Sequence, residues 1–88
     1  MIGLIIVVYF KKYFMSLPGK KVAILTEMGF EEEELTSPKA AMEMVGITVH
    51  IISPQSKKVK GWKENNWTIE LPVDVHISRA KVEDYDAL

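Results

Sequence analysis

One stretch decides the fold: residues 20–53, KKVAILTEMGFEEEELTSPKAAMEMVGITVHIIS. Its first apolar run, residues 22–25, is too short for a helix and is typical of a buried strand. The amphipathic segment 31–45 predicts a helix, and Gly46 stands where a glycine ends one. The β-branched run 47–52 predicts a second strand. Together they predict a βαβ unit, whose strands are parallel and joined by a right-handed crossover.

The start of this helix has two interpretations. A helix that begins near Glu31 contains Pro38, which must then kink it. A helix that begins later uses Ser37 as its cap and Pro38 in its first turn. Both remain open at this point. The residues expected near one helical face are Leu35, Met42 and Val45.

The composition is that of one ordinary soluble domain. The 88 residues are 48% hydrophobic and 26% charged, with a formal net charge of -1. A charge so close to zero offers no electrostatic footprint for phosphate backbones, so we expect no nucleic-acid partner. The chain contains no cysteine. This excludes disulfides, thiolate metal sites and a cysteine nucleophile within it.

Residues 1–19 differ from the rest of the chain. Residues 1–10 form an apolar run about half as long as a membrane helix needs, and the lysines follow it instead of preceding it as in a signal peptide. We favour a natural start at Met15, which makes residues 1–19 an apolar extension and residues 20–88 the domain. A short membrane anchor and an extra β-strand are the alternatives. We expect a cytoplasmic protein without a membrane partner.

The loop after the first strand, residues 26–30, lies where ligands of open α/β sheets bind, beyond the carboxyl ends of the strands. A phosphate-binding loop needs several glycines, and only Gly29 is present. A receiver domain needs paired acidic residues here, and Glu27 stands alone. His50 and His76 have no second ligand at metal spacing. We therefore expect no nucleotide, flavin or metal cofactor.

Four consecutive glutamates, residues 31–34, are the most unusual local feature. The structural interpretation is a solvated helix start, where the helix dipole stabilises each carboxylate by about 0.3–1 kcal/mol. The functional interpretation uses Glu31 and Glu34, which are three residues apart and share a helical face. A carboxyl at this edge of the sheet could be partly buried, stay protonated and serve as a hydrogen-bond donor or proton shuttle.

The second half of the chain predicts a β-hairpin or an excursion loop within residues 59–75, because Trp62 and Trp67 flank a polar turn. Acidic residues neutralise the neighbouring lysines, which argues against single-stranded nucleic acid as a ligand. Ser78 is expected to cap the helical turn that follows, and residues 85–88 to enter the next strand.

A series of short motifs runs through residues 20–88 in a fixed order. They are Lys21-Val-Ala-Ile-Leu-Thr, Gly29-Phe30-Glu31 with Glu34-Leu35, Ser37-Pro38, Gly46 with Val49-His50-Ile51, Lys60-Gly61-Trp62, Pro72-Val73-Asp74-Val75 and Asp84-Tyr85-Asp86-Ala87-Leu88. Each motif is weak alone, and their combination is specific. Their order resembles the PfpI-like intracellular protease/deglycase branch of the ThiJ/PfpI (DJ-one) superfamily.

The resemblance implies an α/β fold: the N-terminal part of a flavodoxin-like parallel-sheet sandwich, related to class I glutamine amidotransferase domains and truncated here. Family members are intracellular cysteine peptidases, glyoxalase-type or deglycase enzymes, and general stress proteins. In that family the glutamate that matches Glu34 hydrogen-bonds the sulfur of a cysteine at a strand-to-helix elbow. Glu31 matches the first glutamate of the same motif and has a structural role. A carboxyl beside a thiolate is best kept protonated, as burial would favour.

The departure from the family is large, because its glycine-rich loop, cysteine nucleophile and histidine partner lie further along than Leu88. We expect the chain to be inactive alone, since nucleophile, base and oxyanion donors must be assembled together. The resemblance implies small-molecule or peptide substrates only for the full-length members of the family. The alternative is a stand-alone α/β interaction module that self-associates or pairs with a separately encoded remainder. With one sheet face uncovered, we expect low stability and a homo-oligomer or aggregate.

Overall fold

The computed structural model describes residues 18–88. The expected apolar extension and the start at Met15 lie on residues outside this range and stay predictions, as does the assignment of residues 20–88 as the domain. The elements, in chain order, are β1 (Lys21–Leu25), α1 (Glu32–Met44), β2 (Thr48–Ser53), β3 (Lys58–Lys63), β4 (Asn66–Pro72), β5 (Val75–His76) and two 3-10 turns (Ile77–Arg79 and Val82–Asp84).

A parallel sheet with the strand order β1-β2-β5 forms the centre of the described part. Its long pairing runs from Lys21↔Thr48 to Leu25↔Ile52, and β5 adds a short pairing to the end of β2. On the other side of β1, Ala87 forms a parallel bridge. The predicted βαβ unit and the α/β class are therefore confirmed, and the parallel sheet is consistent with part of a flavodoxin-like domain.

Two aspartates extend the hydrogen bonding of this sheet beyond its short outer strands. Asp74 precedes β5, and its Oδ2 accepts a hydrogen bond from the main-chain nitrogen of Ile51 at 2.7 Å. Asp86 precedes the bridge to β1, and its Oδ2 accepts from the nitrogen of Lys21 at 2.8 Å. Each carboxylate thus satisfies a strand N–H where no neighbouring strand carbonyl does so.

The first face of the sheet carries the main core. Side chains alternate across the pleat, so Val22 and Ile24 of β1 share this face with Val49 and Ile51 of β2. Leu35 of α1 is fully buried against them. Burying each such side chain contributes about 1.5–3 kcal/mol to folding. The remaining buried members of this core are Phe30, Ile47, Val59 and Ala87.

The second face carries a smaller buried cluster, Ala23, Ile52 and Tyr85. Val75, Ala80 and Leu88 pack against this cluster and are partly buried. Within residues 18–88, the cover of this face comes from the C-terminal segment and its 3-10 turns, while α1 packs on the first face.

The helix begins at Glu32, with Glu31 as its N-cap, so the earlier of the two predicted starts is correct. Pro38 lies inside the helix, and Ser37 is not its cap.

Three residues were expected near one face of the helix. Leu35 and Met42 pack against the main core, where Leu35 is fully buried and Met42 is partly buried. The expectation for Val45 is wrong, because Val45 is the C-cap and is exposed.

Gly46 ends the helix as predicted, and its φ of +87° is the left-handed conformation that glycine adopts without strain. Its nitrogen donates to the Glu43 carbonyl at 3.0 Å, and the nitrogen of Ile47 donates to the Met42 carbonyl at 3.1 Å. This pair of bonds is a Schellman motif. Ile47 is buried in the main core, and Met42 packs against that core. The motif directs the chain straight into β2.

The predicted hairpin is present as the antiparallel pair β3 and β4. Trp62 and Trp67 pair across it, with ring centroids 4.7 Å apart and an edge-to-face angle of 80°. The turn residues Glu64 and Asn65 have φ values of 50° and 65°, the signs of a type I′ turn. Glu70 forms ion pairs with two of the lysines expected to be neutralised, Lys58 at 3.0 Å and Lys60 at 3.8 Å. The hydrogen bond from Lys58 lowers the pKa of the Glu70 carboxyl.

The expectation that Ser78 caps the turn after β5 is wrong. Ser78 lies inside the first 3-10 turn, and His76 is its N-cap, with the His76 ring accepting from the nitrogen of Ser78. An imidazole at the end of a strand thus takes the role that the sequence pattern assigned to a hydroxyl. The second 3-10 turn begins after Lys81 without a side-chain cap.

Candidate functional site

The candidate site lies at the carboxyl edge of the sheet, where the loop after β1 leads into α1. Gly29 in this loop has a φ of +86°, and its nitrogen donates to the Lys60 carbonyl of β3 at 2.8 Å. The next residue, Phe30, is buried in the main core, and its carbonyl accepts from the nitrogen of Trp62 at 2.9 Å. These contacts hold both sides of the loop and therefore determine where the helix starts.

The two glutamates singled out from the sequence are brought together at this helix start. The Oε2 atom of Glu31 accepts a hydrogen bond from the main-chain nitrogen of Glu34 at 2.9 Å. Glu31 is half-buried and lies outside the helix, so it does not share a helical face with Glu34 as expected. The Glu34 side chain is exposed, and the expected partial burial is not met by the described residues. The catalytic role of either residue stays a prediction.

Pro38 removes one main-chain hydrogen bond from the helical turn that carries Glu34. A helical residue normally donates its N–H to the carbonyl four residues earlier, and proline has no N–H to give. The carbonyl of Glu34 therefore lacks the main-chain donor that position 38 would otherwise supply. The main-chain nitrogen of Glu34 is therefore bonded to the Glu31 side chain, and its carbonyl lacks the donor that proline cannot supply.

A side-chain bridge joins the two loops that follow β1 and β2. Glu27 Oε1 accepts from Gln55 Nε2 at 2.8 Å and from the nitrogen of Met28 at 2.7 Å. Ser53, which is fully buried at the end of β2, accepts from the nitrogen of Gln55 at 3.1 Å. Local sequence patterns do not predict this bridge, because its two ends are separated by a helix and a strand. The only signal was a polar residue after each strand.

His76 links a third loop to this edge. Its Nδ1 accepts from the nitrogen of Ser78 at 3.1 Å, and its Nε2 lies 3.0 Å from the carbonyl oxygen of Pro54. A main-chain nitrogen only donates and a carbonyl only accepts, so the neutral ring must carry its proton on Nε2. His76 is therefore occupied by structural bonds on both nitrogens.

His50 lies on the second face of the sheet, away from this edge. Its Nδ1 is 2.8 Å from the hydroxyl of Tyr85, and the two rings meet edge to face. Burial raises the pKa of Tyr85, and the nearby carboxylates of Asp84 and Asp74 raise it further. The pair helps to attach the C-terminal segment to the sheet.

No group of three or more histidine, aspartate or glutamate side chains within residues 18–88 is arranged to hold a metal ion. Of the helices described, none has the length and apolar character needed to cross a membrane.

Comparison with known proteins decides the family. The model of the DJ-1/PfpI family matches residues 20–88, which include β1, α1, the hairpin and the candidate site. The chain belongs to the DJ-1/PfpI family. The predicted superfamily is thereby confirmed.

Three staphylococcal relatives illustrate the similarity. An uncharacterized protein of Staphylococcus haemolyticus is 45% identical over 69 residues, which are 78% of this chain and 38% of that protein. A protein of Staphylococcus epidermidis is 42% identical over 70 residues, 80% of this chain and 39% of its own length. A protein of Staphylococcus aureus is 41% identical over 69 residues, 78% and 39% respectively. This DJ-1/PfpI chain thus matches about two fifths of the length of these relatives.

Proposed function

We propose that this chain supplies the part of a PfpI-like DJ-1/PfpI domain that presents an accessory carboxyl, Glu34, to a cysteine thiolate carried by the remaining part of the domain. The complete domain would act as an intracellular, cytoplasmic cysteine peptidase or glyoxalase/deglycase. The observation that carries the proposal is the hydrogen bond between the Glu31 carboxylate and the nitrogen of Glu34. It holds Glu34 in the first turn of α1, at the edge of the sheet where ligands of open α/β folds bind.

The chemistry of such a carboxyl follows from its neighbours. Beside a thiolate, a carboxylate would be repelled, so the carboxyl is favoured in its protonated form and donates a hydrogen bond to sulfur. A hydrogen bond to a charged group contributes about 1.5–3 kcal/mol, which corresponds to lowering the thiol pKa by about one to two units. A larger thiolate fraction at neutral pH means faster attack on a carbonyl carbon.

The same reasoning predicts that the 88-residue chain has no such activity by itself. It contains no cysteine, and Glu34 is exposed in the described residues. Without the thiolate, the accessory carboxyl has no sulfur to which it could donate a hydrogen bond. Acyl or carbonyl chemistry also requires a nucleophile, a base and oxyanion donors together.

The proposal is tested with a chimera: the full-length Staphylococcus haemolyticus relative in which the matched 69 residues are replaced by those of this chain. We expect both the parent protein and the chimera to convert methylglyoxal or cleave a peptide, and the 88-residue chain to do neither. Activity of the 88-residue chain above a buffer blank would overturn the proposal. So would inactivity of both chimera and parent towards both substrates.

A second function is favoured by one observation: large apolar side chains, among them Leu25 and Val82, are exposed on the second face. Such a chain could act as a small interaction module that self-associates or pairs with a separately encoded remainder. Size-exclusion chromatography separates the two proposals. A stable, monodisperse dimer at micromolar concentration favours the module, whereas a monomer or polydisperse aggregate favours the partial domain.

A further inference from the structure

The bridge between Glu27 and Gln55 joins the loops after β1 and β2 at the edge of the sheet that carries the candidate site. A single atom, Oε1 of Glu27, accepts both the side-chain amide of Gln55 at 2.8 Å and the nitrogen of Met28 at 2.7 Å. The carboxylate of Glu27 is thus held between its own chain and the neighbouring loop.

Both ends of this bridge start from fixed points on the sheet. The nitrogen of Gln55 donates to Oγ of Ser53 at 3.1 Å, and Ser53 is fully buried at the end of β2. On the other loop, Thr26 is buried, and its nitrogen donates to the Ile52 carbonyl at 3.0 Å. The bridge therefore extends the attachment of the first loop to β2 by one residue beyond Thr26.

The bridged residue lies close to the start of α1. Only three residues separate Glu27 from Glu31, the N-cap of the helix. The first of them, Met28, packs against the main core, and the next two bond to β3 through their main chains. The position at which the chain leaves Met28 therefore affects where the Glu31 carboxylate meets the nitrogen of Glu34.

We propose that Glu27 is a positioning residue for Glu34: bridged to Gln55, it fixes the loop before α1 and thereby orients the Glu34 carboxyl towards the cysteine thiolate of the complete domain. The inference rests on the proposed function, in which Glu34 donates a hydrogen bond to that sulfur. Functional side chains must be held within about 0.5 Å of their productive geometry. A first loop that is released from β2 would therefore weaken the bond to sulfur.

The test breaks the bridge with Gln55→Ala and restores it in reverse with the double variant Glu27→Gln/Gln55→Glu. In the double variant the amide at position 27 donates to the carboxylate at position 55, and its oxygen still accepts from the nitrogen of Met28. Asn66→Ala is the matched control, because Asn66 is also an amide that donates one exposed bond, to the Glu64 carbonyl at 3.1 Å in the hairpin turn.

The first readout is hydrogen exchange in the 88-residue chain. It compares the amide of Glu34, bonded to the Glu31 carboxylate, with the amide of Ile47, bonded beyond the other end of α1. We expect Gln55→Ala to lower the protection factor of Glu34 at least about threefold relative to that of Ile47. The double variant should restore this ratio, and Asn66→Ala should leave it unchanged. A change in global stability alone would lower both protection factors and keep their ratio.

The second readout is the apparent pKa of the cysteine thiol in the chimera, measured by iodoacetamide alkylation as a function of pH. Gln55→Ala should raise this pKa by about half a unit, because a misplaced Glu34 carboxyl stabilises the thiolate less. The double variant should return the pKa to its original value, and Asn66→Ala should not change it.

An unchanged exchange ratio in Gln55→Ala would overturn the inference, and so would a double variant that behaves like Gln55→Ala. If Glu34→Leu raises the thiol pKa and Gln55→Ala does not, the inference fails while the proposed function stands. If Glu34→Leu leaves the thiol pKa unchanged, the proposed function fails, and the exchange ratio decides whether the bridge fixes the helix start.

Discussion

The carboxylate of Glu31 and the main-chain nitrogen of Glu34 are 2.9 Å apart, and this one bond closes the first turn of α1. Serine, threonine, aspartate and asparagine are the usual N-caps, and here a longer glutamate side chain reaches the same N–H. Glu31→Ala should therefore lower the free energy of unfolding by about 1 kcal/mol, whereas Glu31→Ser should retain most of the stability. Urea unfolding of the two variants measures this. Equal losses for both would show that the cap contributes nothing.

A second prediction concerns the end of the helix. Gly46 has a φ of +87°, and a Cβ atom placed there would lie 3.2 Å from the Cα of Pro18. Gly46→Ala should lower the free energy of unfolding by about 1–2 kcal/mol. Gly19→Ala is the matched control, because Gly19 also has a positive φ of +83° but open space around the added atom. The control should lose less. The same loss in both would assign the effect to backbone strain alone.

A third prediction concerns the hairpin turn. Glu64 occupies the left-handed conformation at a φ of 50°, which asparagine and glycine tolerate better than glutamate. Glu64→Asn and Asn65→Gly should each raise the free energy of unfolding by about 0.5–1 kcal/mol. The near-ultraviolet circular dichroism of the Trp62 and Trp67 pair should not change, because the strand register is retained. A loss of stability would mean that the turn is not of this type.

A fourth prediction follows from the raised pKa of Tyr85. The folded state holds this phenol neutral, while the unfolded chain ionises it near the usual value of about 10. Stability should therefore be complete below that pH and fall as the pH rises above it, because only the unfolded state then releases its proton. Tyr85→Phe should cost about 1 kcal/mol at pH 8 through the lost bond to His50 and should reduce the alkaline decline. An identical decline in both proteins would contradict this explanation.

Local patterns predicted most of the fold. The runs of residues 22–25 and 47–52 gave the parallel pair, Gly46 gave the helix end, and the tryptophan spacing gave the hairpin. These features depend on neighbours in sequence, so short-range rules describe them well. The prediction for Val45 failed because Val45 is the C-cap, where the main chain leaves the helical conformation and the helical periodicity no longer determines the face.

The polar contacts of the candidate site were less predictable. Glu27 bonds to Gln55, and His76 bonds to the carbonyl of Pro54, across 28 and 22 residues of sequence. Such pairs form only after the sheet has placed the ends of neighbouring strands side by side. Sequence could identify the edge of the sheet as the site, but not which side chains meet there.

We propose that Glu34, and not a neighbouring glutamate, hydrogen-bonds the cysteine of the complete domain. The most direct measurement is the rate at which iodoacetamide alkylates that cysteine in the chimera, as a function of pH, with Glu34→Leu and Glu33→Leu compared. Glu33 is exposed in the same helical turn and is the matched control. We predict that Glu34→Leu raises the apparent thiol pKa by about one unit or more and that Glu33→Leu leaves it unchanged. Superimposable alkylation profiles for the two variants would contradict the claim.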